Sequence, residues 1–526
     1  MRFSLQWKRL LRAYVTLGAL TWMAGCGSAT SVGNSSTTTA SATVPTDVVV
    51  SSPTASTAAT SSSLAVKEVI AVDADASSTA ATDYGTKRQA LATLAAGTGS
   101  CAFSLPRAAG TRPSCYGPTV NVLNHPEAIH PDADSTGDQD GDRQLPQGDL
   151  GIWSASEGTQ ACAAAEMNNL VDGVAAKVDT VMNMFAAMAC AESKGGVVLP
   201  AVGETLDVTS VVTAQTAITG ITVSSASLAR SANDSDGNPV YVSTISMTVT
   251  NAQGTQTVNL ILKHIPTAAD NSTYKGKVSF RLGNATGTES NCPQGTSGTT
   301  SAGTVLYSKT SSSSVIYLLN SAEFCGSTTN PFDSNNNISA SDKASMTNTD
   351  GWGGNWNYGV FGVNPQNGTG SVAYAWQAGQ GDSATRVFNM STSVAADNSA
   401  SGTAYFGFGP AVSDATFNGS ITGFYCNWAA AGVSHTASLR AQRQELSRAI
   451  AATNFTASSS NIRFAPTNSC DAGPADPQGN PFTYTSGAGA VVGTMDNDVN
   501  TPTTVTNTLI PLTSVVFTLP TAPGDV

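Results

Sequence analysis

Two different apolar periods divide the chain. From Ala161 to Glu192, large apolar residues recur at Met167, Leu170, Val171, Val174, Val178, Val181, Phe185 and Met188, with Gly173 inside the pattern. This is the spacing of one helix face, and it predicts a helix of about eight turns. Beyond residue 200 the texture turns to alternation. Tyr241, Ile245, Met247 and Val249 precede the turn-like Asn251-Ala252-Gln253-Gly254, and Val258, Leu260 and Leu262 follow it. Val278, Phe280 and Leu282 form another period-two run. Tyr374 and Trp376 face Phe388 and Met390 across Gly379-Gln380-Gly381-Asp382, and residues 303–309 and 314–320 make a further hairpin. About ten strands separated by Gly, Ser, Asn and Asp predict a mainly β protein, an antiparallel meander forming a barrel or sandwich. An N-terminal disulfide-rich region containing the one long α-helix precedes it. Shorter helical patterns run from Asp83 to Ala95 and from Leu439 to Ala451, the second with Arg440, Arg443 and Arg448 on a solvated face.

The first 26 residues carry a different signal. Arg2, Lys8, Arg9 and Arg12 precede an apolar run from Ala13 to Met23, about eleven residues and too short to span a bilayer. Met23-Ala24-Gly25-Cys26 closes it, with small residues before the Cys, and resembles the lipobox of bacterial lipoproteins; Met23 stands where Leu is commoner. The resemblance implies removal of residues 1–25 and a diacylglyceryl group on Cys26, which becomes the new N-terminus. Two acyl chains there supply enough buried CH₂ groups for stable anchoring in a lipid bilayer. Gly27, where an Asp would favour inner-membrane retention, points to the outer membrane, or to the plasma membrane in a Gram-positive host.

Ser, Thr and Ala dominate from Gly27 to about Ser63, so residues 26–65 are expected to be the lipidated Cys and a disordered tether reaching on the order of 35 Å. The helix- and disulfide-containing region is placed at 84–200, the β domain at 201–480, and a C-terminal segment with a last strand at 481–526. Removal of the four basic signal residues leaves 20 Lys and Arg against 36 Asp and Glu, a net of −16. Such a surface repels nucleic acid and anionic lipid. Charged residues are only 11% of the chain, so Ser, Thr and Asn must carry solvation, a habit of extracellular surfaces. A transmembrane barrel would also alternate, but the lipobox, the cysteines and the scarcity of long apolar faces favour a soluble domain.

Once Cys26 is acylated, eight cysteines remain: Cys101, Cys115, Cys162, Cys190, Cys292, Cys325, Cys426 and Cys470. An even number in an exported chain predicts disulfides, and no C-x-x-C spacing invites zinc or redox chemistry. Sequential pairing is expected for Cys292 with Cys325 and for Cys426 with Cys470. An unbroken helix would hold Cys162 and Cys190 roughly 42 Å apart, beyond bonding reach. Either Asp172-Gly173 folds the stretch into a hairpin, or each cysteine bonds back to Cys101 or Cys115; the unbroken period favours the second.

Three constellations could carry chemistry. Asp132, Asp134, Thr136, Asp138 and Asp140, with Gly137, fit the start of a calcium loop of alternating hard oxygens, although Arg143 stands where a bidentate Glu would close it. His125 and His130 flank Pro126 and Glu127 beside that loop, an unspecific spacing read as turn residues. Fourteen aromatics lie between 351 and 428; most are strand-core residues, while Trp352 and Trp356, in a Gly-rich loop, could stack on a glycan or seat an envelope protein. No nucleophile elbow, P-loop or dinucleotide fingerprint is present. His264 is expected half-buried in a strand, and Ser434-His435 near Trp428 completes the histidines. The expectation is a lipid-anchored exported protein with a binding or structural role; the alternative is an extracytoplasmic hydrolase, acting on glycans with carboxylates the sequence does not single out.

Overall fold

The computed structural model describes residues 40–46, 48, 50, 52, 84–102, 113, 115–116, 119–121, 152, 155–216, 220–251, 254–284, 299–311, 314–325, 356–364, 369–377, 385–409, 440–461, 482–485, 491–495 and 510–511. Helix α1 is Tyr84–Ala95, α2 is Cys162–Lys194 and α3 is Thr209–Gln215. Thirteen strands form one antiparallel meander in which each pairs with the next: β1 Thr205–Asp207, β2 Ile221–Ser231, β3 Val240–Asn251, β4 Gly254–Pro266, β5 Tyr274–Asn284, β6 Thr299–Ser311, β7 Ser314–Cys325, β8 Trp356–Asn364, β9 Thr369–Gln377, β10 Thr385–Val394, β11 Ala400–Gly409, β12 Arg440–Arg448 and β13 Thr456–Asn461. Ile510–Pro511 adds to β12. Among the described residues the hydrogen-bonded path is open, with β1 and β13 at its ends, so of the two expected closures the barrel is not formed.

Period two decides which face is inside. Ile245, Met247 and Val249 of β3 stand beside Val258, Leu260 and Leu262 of β4, and Val278 and Phe280 of β5 continue the rows; all are at most 4% exposed. Their alternates are Thr244, Ser246, Thr248, Asn259, Lys263, Lys275 and Lys277, which are partly exposed. Polar outside and apolar inside reverses the arrangement of a lipid-facing barrel strand. In β8 to β11 the opposite face is buried too, at Val360, Ala373, Val387, Asn389 and Tyr405.

The inward face packs on α2. This helix starts against the last strands, where Ala161 N–H donates to Phe455 O (2.7 Å) and Ala163 N–H to Gln444 Oε1 (2.8 Å). It ends at Gly195, where a Cβ would press on Val211 of α3, beside β1 and β2. The helix thus crosses the sheet from one edge to the other. Its 33 residues make about 50 Å at 1.5 Å each, matching the roughly 50 Å of strand spacings between β12 and β2. Apolar residues around its whole circumference are buried between Val181 and Ala191, including Met182, Phe185, Met188 and Ala189, as a helix covered on all sides requires. It is long and apolar enough to cross a membrane, but it is occupied as the core of this fold.

The helix is unbroken through Gly173, and the cysteines bond backwards: Cys101 to Cys190 and Cys115 to Cys162, with Cα separations of 5.5 and 5.7 Å. All four are at most 2% exposed. Each end of α2 is therefore strapped to the segment preceding it, and the hairpin alternative is excluded.

Among the described residues, the regions placed at 84–200 and 201–480 share one hydrophobic core, and three expectations are corrected. Gln442 bonds Ile152, Gln444 bonds Ala155 and Ala163, and Phe482–Thr485 pairs with Thr119–Asn121, tying the proposed regions together. The tether expected over 26–65 is interrupted: Ala40–Thr43 is a 3-10 turn, and Val44, Val48, Val50 and Ser52 are at most 2% exposed, with Val50 N–H donating to Asp179 Oδ1 of α2. Spaced valines among Ser and Thr lack periodicity, which hid their role. The helix expected over Leu439 to Ala451 is strand β12, and the face on which Arg448 was expected to be solvated is buried. Finally, His264 is wholly buried rather than half-buried.

Candidate functional site

Among the described residues, the most developed polar cluster forms where β4, β5 and β6 reach one rim of the sheet. His264 of β4 lies level with Gly276 of β5 and Tyr307 of β6 on the inward face. A Cβ at Gly276 would fall on the Tyr307 hydroxyl, so the glycine opens the gap through which Tyr307 reaches across to His264. Tyr274 packs edge-on to Tyr307, with centroids 5.8 Å apart.

Donor and acceptor counting orients the cluster. Asn271, in the turn between β4 and β5, has a left-handed backbone (φ 57°), a conformation Asn tolerates. Its Nδ2 donates to Ser41 O (3.3 Å) and Val44 O (2.9 Å), using both amide hydrogens. Its Oδ1 can only accept, so His264 Nε2–H donates to it (2.8 Å). In the neutral ring Nδ1 must then accept from the Tyr307 hydroxyl (2.9 Å). The result is a one-way chain from Tyr307 through His264 and Asn271 to the backbone of the 3-10 turn. Burial lowers the His264 pKa to about 4 and raises that of Tyr307 well above its usual value. Both are neutral at pH 7. The cluster is a clamp that holds residues 41–44 against the sheet, and it contains no activated nucleophile.

A second polar set lies on β12. Gln442 accepts from Ile152 N–H (2.8 Å) and donates to Ile152 O (3.2 Å); Gln444 accepts from Ala163 N–H and donates to Ala155 O (2.9 Å). Ala161 provides no side-chain cap to α2, and Gln444 meets that need from the sheet. Arg448 lies over the Phe455 ring at 5.1 Å and is buried, which lowers its pKa. At the other end of α2, burial raises the Glu192 pKa to about 8, and its Oε1 has no hydrogen-bond partner.

The residues singled out from sequence mostly lie elsewhere. Cys26, Asp132, Asp134, Thr136, Asp138, Asp140, His125, His130, Trp352, His435, Cys292, Cys426 and Cys470 are outside the described residues; Cys325 ends β7 and Trp356 begins β8. Among the described residues no three His, Cys, Asp or Glu side chains gather to hold a metal. Topology still sorts the connections. The rim bearing Asn271 is closed by links of two to eight residues: 232–239, 267–273, 312–313, 365–368, 395–399 and 449–455. The opposite rim carries 285–298, 326–355 and 410–439, up to thirty residues each, and these include Cys292, Trp352 and Cys426. Sequence reasoning missed the clamp because its parts lie far apart in the chain, at 41–44, 264, 271 and 307; only the isolated, strand-placed His264 hinted at it. Compared with known proteins, the chain matches no family model, no curated sequence and no solved structure.

Proposed function

We propose that this is a lipid-anchored, exported protein of the cell envelope with a binding or structural role, held in the bilayer through acyl chains on Cys26. The observation that carries the reading is the pair of buried disulfides, Cys101–Cys190 and Cys115–Cys162, which belong to an oxidising compartment. The lipobox-like Met23-Ala24-Gly25-Cys26 supplies the anchor, and the outer membrane is its destination. Binding falls to the rim of long connections, since long links set on a rigid sheet are where recognition residues concentrate. Trp352 there offers an aromatic face to a glycan or an envelope protein. The acidic residues from Asp132 to Asp140 take calcium on this reading. The test is Cys26→Ala in cells fed labelled palmitate: the unaltered chain is labelled and sediments with membranes, and the variant loses both properties. An unlabelled wild-type chain in the soluble fraction overturns the anchor. Metal content and thermal melts of the folded chain, indifferent to calcium and chelator, would remove calcium.

A further inference from the structure

The large apolar side chains exposed among the described residues are Val198 (82%), Val202 (62%) and Ile450 (62%). All three lie on one rim, toward its two ends. Val198 and Val202 lie in the loop joining α2 to β1, which climbs to the short-turn rim, where Gly203 N–H donates to Arg230 O at the end of β2 (2.7 Å). Ile450 lies in the turn between β12 and β13, on the same rim near the other edge of the sheet. Between them, at the turn between β4 and β5, Asn271 clamps Ser41 and Val44, so the chain coming from the N-terminus joins the fold on this rim too.

Chain length limits how far that rim can stand from an anchor. Thirteen residues separate Cys26 from Ala40, and they can span at most about 50 Å. The valines at 44, 48 and 50 are locked into the core, which removes the slack a tether extending to residue 65 would have given.

Resting on the lipid anchor proposed above, we propose that the short-turn rim is a membrane-docking surface: the loop carrying Val198 and Val202, with Ile450, seats in the headgroup and acyl boundary of the bilayer that holds Cys26. The long-connection rim then points away from the lipid. Charge on the docking rim is mixed. Lys275 is paired to Asp234 (3.2 Å) and Asp236 (3.4 Å), and Glu204, Asp270 and Asp397 add further acidic groups. Apolar insertion, and not attraction to anionic lipid, is the driving interaction.

The test uses the full chain expressed in cells with palmitate labelling, a photoreactive phenylalanine analogue replacing Val198, Val202 or Ile450 in turn, and Thr250 of the opposite rim as the comparison. All four positions are exposed and none fills the core, and persistence of the Cys101–Cys190 disulfide reports folding. About tenfold more lipid adduct at 198 and 202 than at 250 is expected, unchanged by high salt. A palmitate-labelled chain giving equal adduct at 198, 202 and 250 overturns the docking surface and leaves the anchor standing. A chain with neither label nor adduct overturns both.

Discussion

The strands at the two sides of the sheet solve the same packing problem in opposite ways. In β3 to β5 the inward positions are mostly apolar, and burial of Met247, Leu260 and Phe280 provides the cohesion. In β12 they are Gln442, Gln444, Leu446 and Arg448, equally buried but mostly polar. The difference follows from what lies opposite. The early strands face the apolar flank of α2, whereas β12 faces its N-terminus, where Gln442 bonds the backbone of Ile152 and Gln444 that of Ala155 and Ala163. An apolar strand there would leave Ala163 N–H buried and unpaired, while Ala155 O would keep its bond from Cys162 N–H.

The largest effect expected is on the straps that hold α2. Replacing Cys101 and Cys190 together by Ala releases a link across 89 residues, and removing Cys115–Cys162 releases one across 47; each is expected to lower stability by about 4 kcal/mol in denaturant titrations. On the apolar side, Leu260→Ala should cost about 3 kcal/mol through the cavity it leaves. On the polar side, Gln444→Leu gains apolar volume yet should lose about 2 kcal/mol, because the buried Ala163 N–H is orphaned. A Gln444→Leu variant at least as stable as wild type would collapse the distinction between the two sides.

Acidity separates them further. His264 has its folded pKa lowered from 6.5 to about 4, so its stabilising contribution is complete above pH 6.5 and is lost as pH falls toward 4, by roughly 3 kcal/mol. Protonation turns Nδ1 into a donor and forces the Tyr307 hydroxyl out of its role. His264→Phe should flatten this part of the stability profile. Glu192 acts in the other direction: its folded pKa is raised to about 8, so its contribution is present below pH 4.5 and is lost as pH rises through 8. Glu192→Gln should relieve the alkaline loss, read as a higher Tm at pH 9. The smallest effect is local. Asn271→Ala removes the bonds to Ser41 O and Val44 O and the acceptor of His264 Nε2–H, and should cost about 1.5 kcal/mol while making residues 40–52 the first site of proteolysis.

This contrast also explains what the sequence could and could not tell. Where packing is by hydrophobic burial, the period is written in the residues: Met247, Leu260 and Phe280 alternate with Thr, Asn and Ser, and the helix stripe from Met167 to Met188 is explicit. The unbroken helical period favoured the backward disulfides over a hairpin, but which of Cys101 and Cys115 met each end was not written in it. Where polar groups do the packing, the period is invisible to a hydrophobic reading; Gln442 and Gln444 look solvated until the backbone they serve is known, and β12 reads as a helix. The 40–52 segment was hidden for a related reason, since three valines among Ser and Thr acquire meaning only beside α2 and Asn271.

One measurement reaches the central claim most directly: the intact mass of the native chain extracted from cell membranes, taken after thiol alkylation without reduction. The expected mass is that of a chain beginning at Cys26, carrying a diacylglyceryl group, with Cys101, Cys115, Cys162 and Cys190 unalkylated. A chain that retains residues 1–25, bears no lipid and takes up alkylating agent at those four cysteines would contradict it.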